Sequence, residues 1–286
     1  MKILAIGEII FDIFDGEAEI GGAPLNFCAH CVSLGEEAAL VSAVGNDSYG
    51  TDAVEKLKEF GVKTDFISIS SLPTGKCIVT VKNGLPEYDV IRPSAYDDLS
   101  ADTDKISGYQ ADVFAFGTLI QREEKSRKAV KKIIENCSFK TVFCDVNLRK
   151  GCYDEESCRL CLENAHILKI SAEEEPLLAK YGLYENGETP LEKAKAICKA
   201  YPNIELVLFT MAENGSLIYD SKKNKEYCIP AEKAELVSGV GAGDSYSAAF
   251  LSEYFKSGNA EAAGKAGAER SAFVVAHREA VPKYNK

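Results

Sequence analysis

Residues 239–245 read Gly-Val-Gly-Ala-Gly-Asp-Ser, in which glycine occupies every second position before an aspartate. The residues that follow, to about position 257, have the apolar spacing of an α-helix. Glycine lets the backbone approach a ligand closely, and a helix start offers unpaired N–H groups and the positive end of the helix dipole. The stretch therefore predicts a site for an anion such as a phosphoryl group, with Asp244 in the first helical turn, within reach of the anion.

Other interpretations of this stretch make different demands on the sequence. A Rossmann dinucleotide fingerprint needs glycine in place of Asp244 and follows the first strand, whereas this stretch lies near the C-terminus. A Walker-type phosphate loop needs Lys-Ser or Lys-Thr, which is absent here. A structural interpretation, in which Asp244 only caps the helix, is as consistent with the stretch alone as the functional one.

Strand-like and helix-like segments alternate along most of the chain. Residues 2–10 form a near-continuous apolar run typical of a buried strand, and Ala23 to Leu34 has the pattern of a helix. We also predict strands at 39–44, 113–116, 141–144, 167–170, 206–210 and 227–229, and helices near 51–60, 122–136, 155–164, 172–180, 189–200, 242–257 and 259–276. This alternation predicts an α/β fold with a mostly parallel sheet covered by helices on both faces.

Residues 65–92 interrupt the alternation, because short β-rich pieces follow one another there without a helical pattern. Asn83-Gly84 is a strong signal for a hairpin turn between two of these pieces. We predict that residues 66–92 form a small separate sheet that acts as a lid. Since so few strands are not stable alone, pairing with a second copy is expected, which predicts a homodimer through the lid.

Charge and composition exclude several kinds of partner. The 286-residue chain carries a formal net charge of −11, whereas nucleic acids and anionic membranes bind basic surfaces. No apolar run reaches the length of a membrane span or a secretory signal, so we expect a cytoplasmic protein. The ten cysteines include two Cys-x-x-Cys pairs in helix-like segments, and we expect reduced thiols rather than zinc ligands or disulfides.

The glycine-rich stretch resembles the C-terminal signature of the ribokinase-like (PfkB) carbohydrate kinases. Gly21-Gly22-Ala-Pro-Leu-Asn26 and the later Val44-Gly45-Asn-Asp47 resemble the N-terminal signature of the same family. Asp145-Val-Asn147-Leu-Arg149 matches its Asp-x-Asn-x-Arg motif, and the order of the motifs agrees over essentially the whole chain. The resemblance implies a single kinase domain over residues 1–286, folded as a three-layer α/β/α sandwich with a small β lid.

The resemblance also implies a reaction, the transfer of the γ-phosphoryl group of MgATP to a hydroxymethyl group of a sugar. Within the family the fructokinases are most alike, because residues 88–95 and 116–122 resemble their pattern. Fructose is therefore the predicted acceptor. The alternatives are a kinase of the same fold for ribose, 2-keto-3-deoxygluconate or a nucleoside, and a sugar-binding regulator that has lost turnover.

Carried over position by position, the resemblance implies a role for each matching residue. It makes Asp244 the catalytic base beside the backbone amides of Gly241, Ala242 and Gly243. The sugar-binding positions are Asp12, Gly21, Gly22, Asn26, Arg92 and Arg149. The nucleotide-binding positions are Asn147, Lys169, Glu174, Thr210, Gly215, Gly241 and Gly243, with Glu174 holding Mg²⁺ through water. By residue type alone, Asp12 is also consistent with a solvated carboxylate, and Arg92 and Arg149 with surface cations.

Four positions depart from the family pattern. Ser171 replaces an asparagine three residues before Glu174, and Ala212 replaces a glycine after Thr210-Met. Ser238-Gly239 replaces Asp-Thr, and Glu279-Ala280 replaces Gly-Ala. An aspartate at position 238 helps many relatives to bind a monovalent cation, and a neutral serine lacks that charge. These departures predict little activation by potassium.

Overall fold

The centre of the chain is a nine-stranded sheet in the computed structural model, which describes residues 1–82 and 85–284. Seven neighbouring strands run parallel, and two at one edge are antiparallel. In spatial order the strands are β13 (Lys225–Ile229), β12 (Ser216–Asp220), β11 (Leu206–Thr210), β10 (Ile167–Ser171), β9 (Thr141–Asp145), β8 (Val113–Phe116), β1 (Lys2–Ile6), β4 (Glu37–Gly45) and β5 (Ile67–Ser70). The mostly parallel sheet confirms the predicted α/β fold class.

Helices cover both faces of this sheet and create two apolar cores. One core lies beneath α1 (Ala23–Ser33), α2 (Ser48–Glu59), α8 (Ala242–Ser257) and α9 (Ala260–Val275). The other lies beneath α3 (Thr103–Tyr109), α4 (Glu124–Asn136), α5 (Glu155–Asn164), α6 (Glu175–Ala179) and α7 (Pro190–Ala200). A strand buried on both faces reads as a continuous apolar run, which is why the central strands were identifiable from sequence.

A second sheet of four strands stands beside the first. Its order is β3 (Glu17–Gly21), β2 (Ile10–Phe14), β6 (Gly75–Lys82) and β7 (Leu85–Val90). The predicted insert of residues 66–92 differs from this sheet in two ways. Its first piece, β5, joins the main sheet beside β4, and two strands from before α1 complete the small sheet. The hairpin predicted at Asn83-Gly84 lies outside the described residues.

The predicted single strand over residues 2–10 is wrong, because two strands in different sheets share that run. β1 ends at Ile6 and β2 begins at Ile10, and the chain passes between the sheets at Gly7–Ile9. A Cβ atom at Gly7 would lie 2.3 Å from Cγ of Pro24, so the start of α1 packs directly on this crossing. The crossing places residue 8 at the carboxyl end of β1, in the middle of the main sheet.

Many of the residues predicted to form the site lie at one edge of the main sheet. The carboxyl ends of parallel strands share an edge, where ligands of open α/β folds bind. The segments after β1, β8, β9, β10 and β11 all emerge there, and α8 begins there. Within residues 1–82 and 85–284, no helix combines the length and the apolar character needed to cross a membrane. Each of the ten cysteines is a free thiol, and all except Cys137 and Cys228 are buried.

Candidate active site

The glycine-rich stretch forms a tight turn that leads into α8. Gly241 precedes the helix with φ 80°, a left-handed conformation that favours glycine. A Cβ atom at this position would lie 2.4 Å from the carbonyl oxygen of Ala280, so the turn packs backbone to backbone against the C-terminal segment. Glycine is therefore required at position 241 both by its conformation and by its neighbour.

The start of α8 presents backbone N–H groups to the carboxyl edge of the sheet. The first amides of a helix have no intrahelical acceptor, and this applies to Gly243 and Asp244. The Ala242 amide is already engaged inside the turn, 3.3 Å from the carbonyl oxygen of Gly239. A cation adjoins these amides, because a Cβ atom at Gly243 would lie 3.1 Å from Nζ of Lys169. Helix start and lysine together suit an anionic ligand.

Asp244 lies in the first turn of α8, and its side chain is only partly exposed. Its Oδ2 accepts a hydrogen bond of 2.9 Å from Nδ2 of Asn26 on α1. Burial raises the pKa of Asp244 to about 6; Asp145 acts in the same direction, whereas Asn26, Lys169 and Arg149 oppose it. A carboxylate that titrates close to neutrality can accept a proton from a hydroxyl group and release it again.

A buried ion pair flanks this carboxylate. Asp145 ends β9 and pairs in register with Lys169 on β10, and their Oδ2 and Nζ atoms are 2.7 Å apart. Burial lowers the pKa of Lys169, but Asp145, Glu174 and Asp244 raise it by more, so the ammonium stays charged. Burial raises the pKa of Asp145, and Lys169 opposes that rise. The Oδ1 atom of Asp145 is buried and has no hydrogen-bond partner among the described residues.

Four of the residues predicted to bind the sugar, Asp12, Gly21, Gly22 and Asn26, lie on the small sheet and around the start of α1. Asp12 is on β2, and a Cβ atom at Gly21 would lie 3.3 Å from its Oδ2. Gly22 has φ 114°, and a Cβ atom there would lie 2.5 Å from a main-chain carbonyl oxygen of the β1–β2 crossing. The glycine pair therefore lets the chain pass close to Asp12 and to the β1–β2 crossing, just before the helix that carries Asn26.

Asn147 and Arg149 follow β9 into the same region. Asn147 has φ 42° and lines the cavity that contains Asp244. Arg149 is exposed and makes no ion pair with any described residue. Burial raises the pKa of the Asp12, Asp145 and Asp244 carboxyl groups, and the charge of Arg149 opposes each rise. The Arg149 guanidinium therefore acts electrostatically on all three carboxyl groups. This is expected of a cation that lies between the predicted sugar-binding and nucleotide-binding residues.

Glu174, a predicted nucleotide-binding residue, links the loop after β9 to the loop after β10. Its Oε1 accepts a hydrogen bond from the Leu148 amide, and its Oε2 accepts one from the Ser171 amide, each at 2.8 Å. Ser171 Oγ accepts in return from the Glu174 amide at 3.2 Å, which makes a reciprocal capping box. The serine that departs from the family pattern thus has a local structural function. Across the described part of the chain, no three His, Cys, Asp or Glu side chains form a metal-binding group.

For the three remaining predicted residues, the structure shows contacts with other parts of the protein. Arg92 lies between the small sheet and the loop after β9, where it pairs with Glu123 at 3.0 Å and donates to the Gly151 carbonyl oxygen at 2.9 Å. Thr210 ends β11, and its carbonyl oxygen accepts the Ala172 amide at 2.8 Å. At Gly215 a Cβ atom would lie 2.1 Å from a carbonyl oxygen of β13, so close strand packing accounts for that glycine.

Glu8 also lies at the site, although it was not among the residues predicted from sequence. It lies at the β1–β2 crossing, is 4% exposed, and borders a cavity of about 40 Å³ that Asp145, Asn147 and Asp244 also border. Burial raises the pKa of Glu8 to about 7, with Asp244 acting in the same direction and Arg149 in the opposite one. The available signal was a lone acidic residue inside a run that otherwise reads as a buried strand.

Comparison with known proteins agrees with this geometry. The family model for pfkB family carbohydrate kinases matches residues 7–285. A putative sugar kinase of Pyrococcus horikoshii is 26% identical over 269 residues, which cover 87% of this chain and 81% of that protein. A fructokinase of Solanum tuberosum is 28% identical over 243 residues, covering 82% and 70% respectively.

The fold also has close matches among solved structures. The crystal structure of an uncharacterized sugar kinase from Pyrococcus horikoshii in complex with ATP matches with a TM-score of 0.82 at 25% sequence identity. The match covers 98% of this chain and 94% of that one. Since the family model spans nearly every described residue, from the β1–β2 crossing to the C-terminal segment, the chain belongs to the PfkB family of carbohydrate kinases.

Proposed function

We propose that this carbohydrate kinase transfers the γ-phosphoryl group of MgATP to a hydroxymethyl group of a sugar, with Asp244 as the catalytic base and fructose as the preferred acceptor. The observation that carries the proposal is the hydrogen bond between Asn26 and Asp244 at 2.9 Å. This hydrogen bond connects α1 and the glycine pair Gly21-Gly22, which can bind hydroxyl groups, to the start of α8, which can bind a phosphoryl group. A base at that junction can reach a hydroxyl and a phosphorus atom together.

In the proposed reaction, the acceptor hydroxyl loses its proton to Asp244 while its oxygen attacks the γ-phosphorus of ATP. The bond from that phosphorus to the bridging oxygen breaks, and ADP leaves. The amides at the start of α8, with Gly241 fixing the turn, stabilise the charge on the transferring group. Lys169 and Arg149 add positive charge on either side. Positioning and electrostatics supply most of the catalysis in phosphoryl transfer of this kind.

The nucleotide side also suits a magnesium ion held through its water shell. Asp145 has a buried carboxylate oxygen without a partner, and a hard cation or its bound water is a natural partner for it. Both oxygens of Glu174 accept backbone amides, and carboxylate oxygens have lone pairs left for such water. Magnesium would neutralise charge on the phosphates as the γ-phosphoryl group moves. Thr210 and Gly215 are proposed to contact the nucleotide from the β11–β12 side.

Fructose as acceptor is supported by the fructokinase-like segments 88–95 and 116–122 and by the similarity to the Solanum tuberosum fructokinase. Arg92 lies within the first segment, and its contacts with Glu123 and Gly151 tie the small sheet to the body of the protein. We propose that this sheet closes over the sugar as a lid, which excludes water as a competing acceptor.

A coupled assay for ADP over a panel of sugars tests the function directly. We expect turnover with MgATP and a higher kcat/KM for fructose than for ribose, 2-keto-3-deoxygluconate or a nucleoside. A clear preference for another acceptor would contradict fructose and leave the kinase in place. Sugar binding without ADP release for any acceptor would contradict the kinase and favour a sugar-binding regulator.

The proposal includes a homodimer formed through the small sheet. Both of its outer strands, β3 and β7, lack a neighbour on one side among the described residues. Phe14 and Tyr88 on this sheet are 45% and 52% exposed, which is unusual for aromatic side chains in a monomer. A second copy would cover the strand edges and these aromatic groups together.

A further inference from the structure

Glu8 is the one carboxyl group at the site that the proposed reaction does not use. Its side chain is almost completely buried, and Glu8 borders the same small cavity as the catalytic carboxylate. Taking a carboxyl group out of water is costly unless it gains hydrogen bonds or a charge partner. Its pKa is raised to about 7, which shows that the cost is not fully offset. Because the Glu8 carboxyl group stays buried despite this cost, we expect it to have a function.

The contacts of Glu8 show that it supports the start of α1. Its Oε1 accepts a hydrogen bond of 3.2 Å from the backbone amide of Ala23, the first residue of the helix. The residue before the helix is Gly22, which has no side chain to cap the helix, and Pro24 has no amide hydrogen. From the β1–β2 crossing, Glu8 therefore supplies a side-chain acceptor for the first amide of a helix whose preceding residue has no side chain.

The glycine explains why the cap comes from so far away. Gly22 has φ 114°, and a Cβ atom there would lie 2.5 Å from the carbonyl oxygen of Glu8. The side chain of a serine or aspartate at position 22 would collide with the β1–β2 crossing. It would also occupy space beside the residues predicted to bind the sugar. The usual local cap is therefore not available, and the neighbouring Glu8 side chain replaces it.

The helix start leads directly to the catalytic carboxylate. Asn26 lies one turn into α1, and its amide donates to the Gly22 carbonyl oxygen at 3.0 Å. Its side-chain nitrogen then donates to Oδ2 of Asp244 at 2.9 Å. An unbroken series of short contacts thus runs from Glu8 through the first turn of α1 to Asp244.

We propose that Glu8 is a positioning residue, which caps α1 from the end of β1 and thereby holds Asn26 where it orients Asp244. The inference rests on the proposed function, in which Asp244 is the base. The proposed role of Glu8 depends on where its oxygen atom lies and not on the charge of the carboxylate, because a neutral carbonyl oxygen can also accept a hydrogen bond from the Ala23 amide.

Two substitutions at Glu8 separate the position of the oxygen atom from the presence of the carboxyl group. Glu8→Gln keeps an oxygen at the same reach and removes the ionisable group, whereas Glu8→Asp keeps a carboxyl group and shortens its reach by one methylene. We expect kcat of E8Q to stay within about threefold of wild type and kcat of E8D to fall about 10- to 100-fold, as displaced catalytic groups do. KM for ATP should change by less than about twofold, because no nucleotide-side contact is altered. An E8D enzyme as active as E8Q, or more active, would overturn the inference.

A second variant removes the donor instead of the acceptor. Ala23→Pro deletes the amide hydrogen at a helical position where proline is tolerated, and it leaves Glu8 unchanged. We expect the same fall in kcat as in E8D, and an unchanged kcat would overturn the inference even if E8D failed to fold. Glu36 provides a control pair, because it is also buried but lies at the opposite edge of the sheet. E36D and E36Q should alter thermal stability with kcat retained.

A double-mutant cycle separates this inference from the proposed function. If Glu8 acts through Asn26, kcat of the E8D/N26A enzyme should equal that of N26A within about twofold, since the two changes remove one interaction. Independent, multiplicative losses would overturn the positioning role and leave the base in place. Near-wild-type activity of Asp244→Asn would instead overturn the base, whatever the cycle gave.

Discussion

The ring nitrogen Nε2 of His30 lies 3.0 Å from the carbonyl oxygen of Ala280, the same oxygen that a side chain at Gly241 would strike. A carbonyl oxygen only accepts, so Nε2 carries the proton. The other ring nitrogen lies 2.7 Å from the hydroxyl of Tyr284. Burial lowers the pKa of His30 to about 4, so the ring is neutral at physiological pH. His30, one turn after Asn26 on α1, thus ties the C-terminal segment to the anion-binding turn.

The contact between His30 and Ala280 affects the response that we expect to potassium. Ala280 lies at one of the positions that depart from the family pattern, and its carbonyl oxygen already accepts a hydrogen bond from His30. Ser238 offers a neutral hydroxyl, which accepts the Val240 amide at 3.2 Å. We therefore expect kcat in KCl to lie within about threefold of kcat in tetramethylammonium chloride at equal ionic strength, so that screening is matched. Stimulation of tenfold or more would show that a cation site survives.

The raised pKa of Asp244 predicts a pH-dependent cost in stability. The pKa rises with burial from 3.8 to about 6, so the contribution is favourable below 3.8 and is lost as pH rises through 6. Asp244→Asn removes the buried charge. The free energy of unfolding of the variant minus that of wild type should therefore be about 1–3 kcal/mol larger at pH 8 than at pH 4.

Asp154→Asn is the matched control for this measurement. Burial acts to raise the pKa of Asp154, but Ser157 and Arg127 lower it by more, so its net shift is opposite to that of Asp244. The wild-type residue then stabilises the fold at high pH and loses that effect as pH falls. Urea unfolding at both pH values should give opposite trends for the two variants. Parallel trends would contradict the assigned direction at Asp244.

Ala212 has φ 48°, a left-handed conformation that is costly for alanine. The family pattern has glycine here, so the departure carries strain that glycine would relieve. We expect Ala212→Gly to raise the free energy of unfolding by up to about 1 kcal/mol, because relief of strain outweighs the added freedom of the unfolded chain. Ala262→Gly, within α9, should lower it by about 0.5–1 kcal/mol. A loss of stability in A212G as large as that in A262G would contradict the assignment of strain.

The proposed dimer has a direct solution test. Light scattering at working concentration should report twice the 31.0 kDa mass of the chain. A charge placed on the small sheet, such as Tyr88→Glu, should shift the protein towards monomer by desolvating a charge at the interface. Lys128→Glu, on the exposed face of α4, is the control and should leave the mass unchanged. A monomer with and without sugar would contradict this assembly.

Elements with strong local signals could be predicted from sequence, and those that depend on distant partners could not. The helix predicted at 242–257 has those bounds in the structure, because glycines mark both of its ends and its first turn carries an acidic residue. β2 and β3 were missed, although Asp15-Gly16 between them has the positive φ values of a hairpin turn. Which sheet β5 joins depends on its pairing with β4, which no local pattern encodes.

The same limit applies to the site. Asp244 and Asn26 were identified from their motifs, but the hydrogen bond between them joins residues 218 positions apart. Glu8 has no motif of its own, and its role becomes visible only when α1 is seen to start without a local cap. The contacts of Arg92 with Glu123 and Gly151 are equally non-local, so residue type alone left it as either a sugar ligand or a surface cation.

The most direct test of the account is the turnover number of Asp244→Asn, measured by ADP release with MgATP and the best sugar. Removing a general base typically costs about 10²–10⁴-fold, so kcat should fall at least roughly a hundredfold. Sugar affinity, measured by calorimetry, should be largely retained, because asparagine can still offer an oxygen to Asn26. A variant that binds sugar normally and keeps near-wild-type kcat would show that Asp244 is not the base.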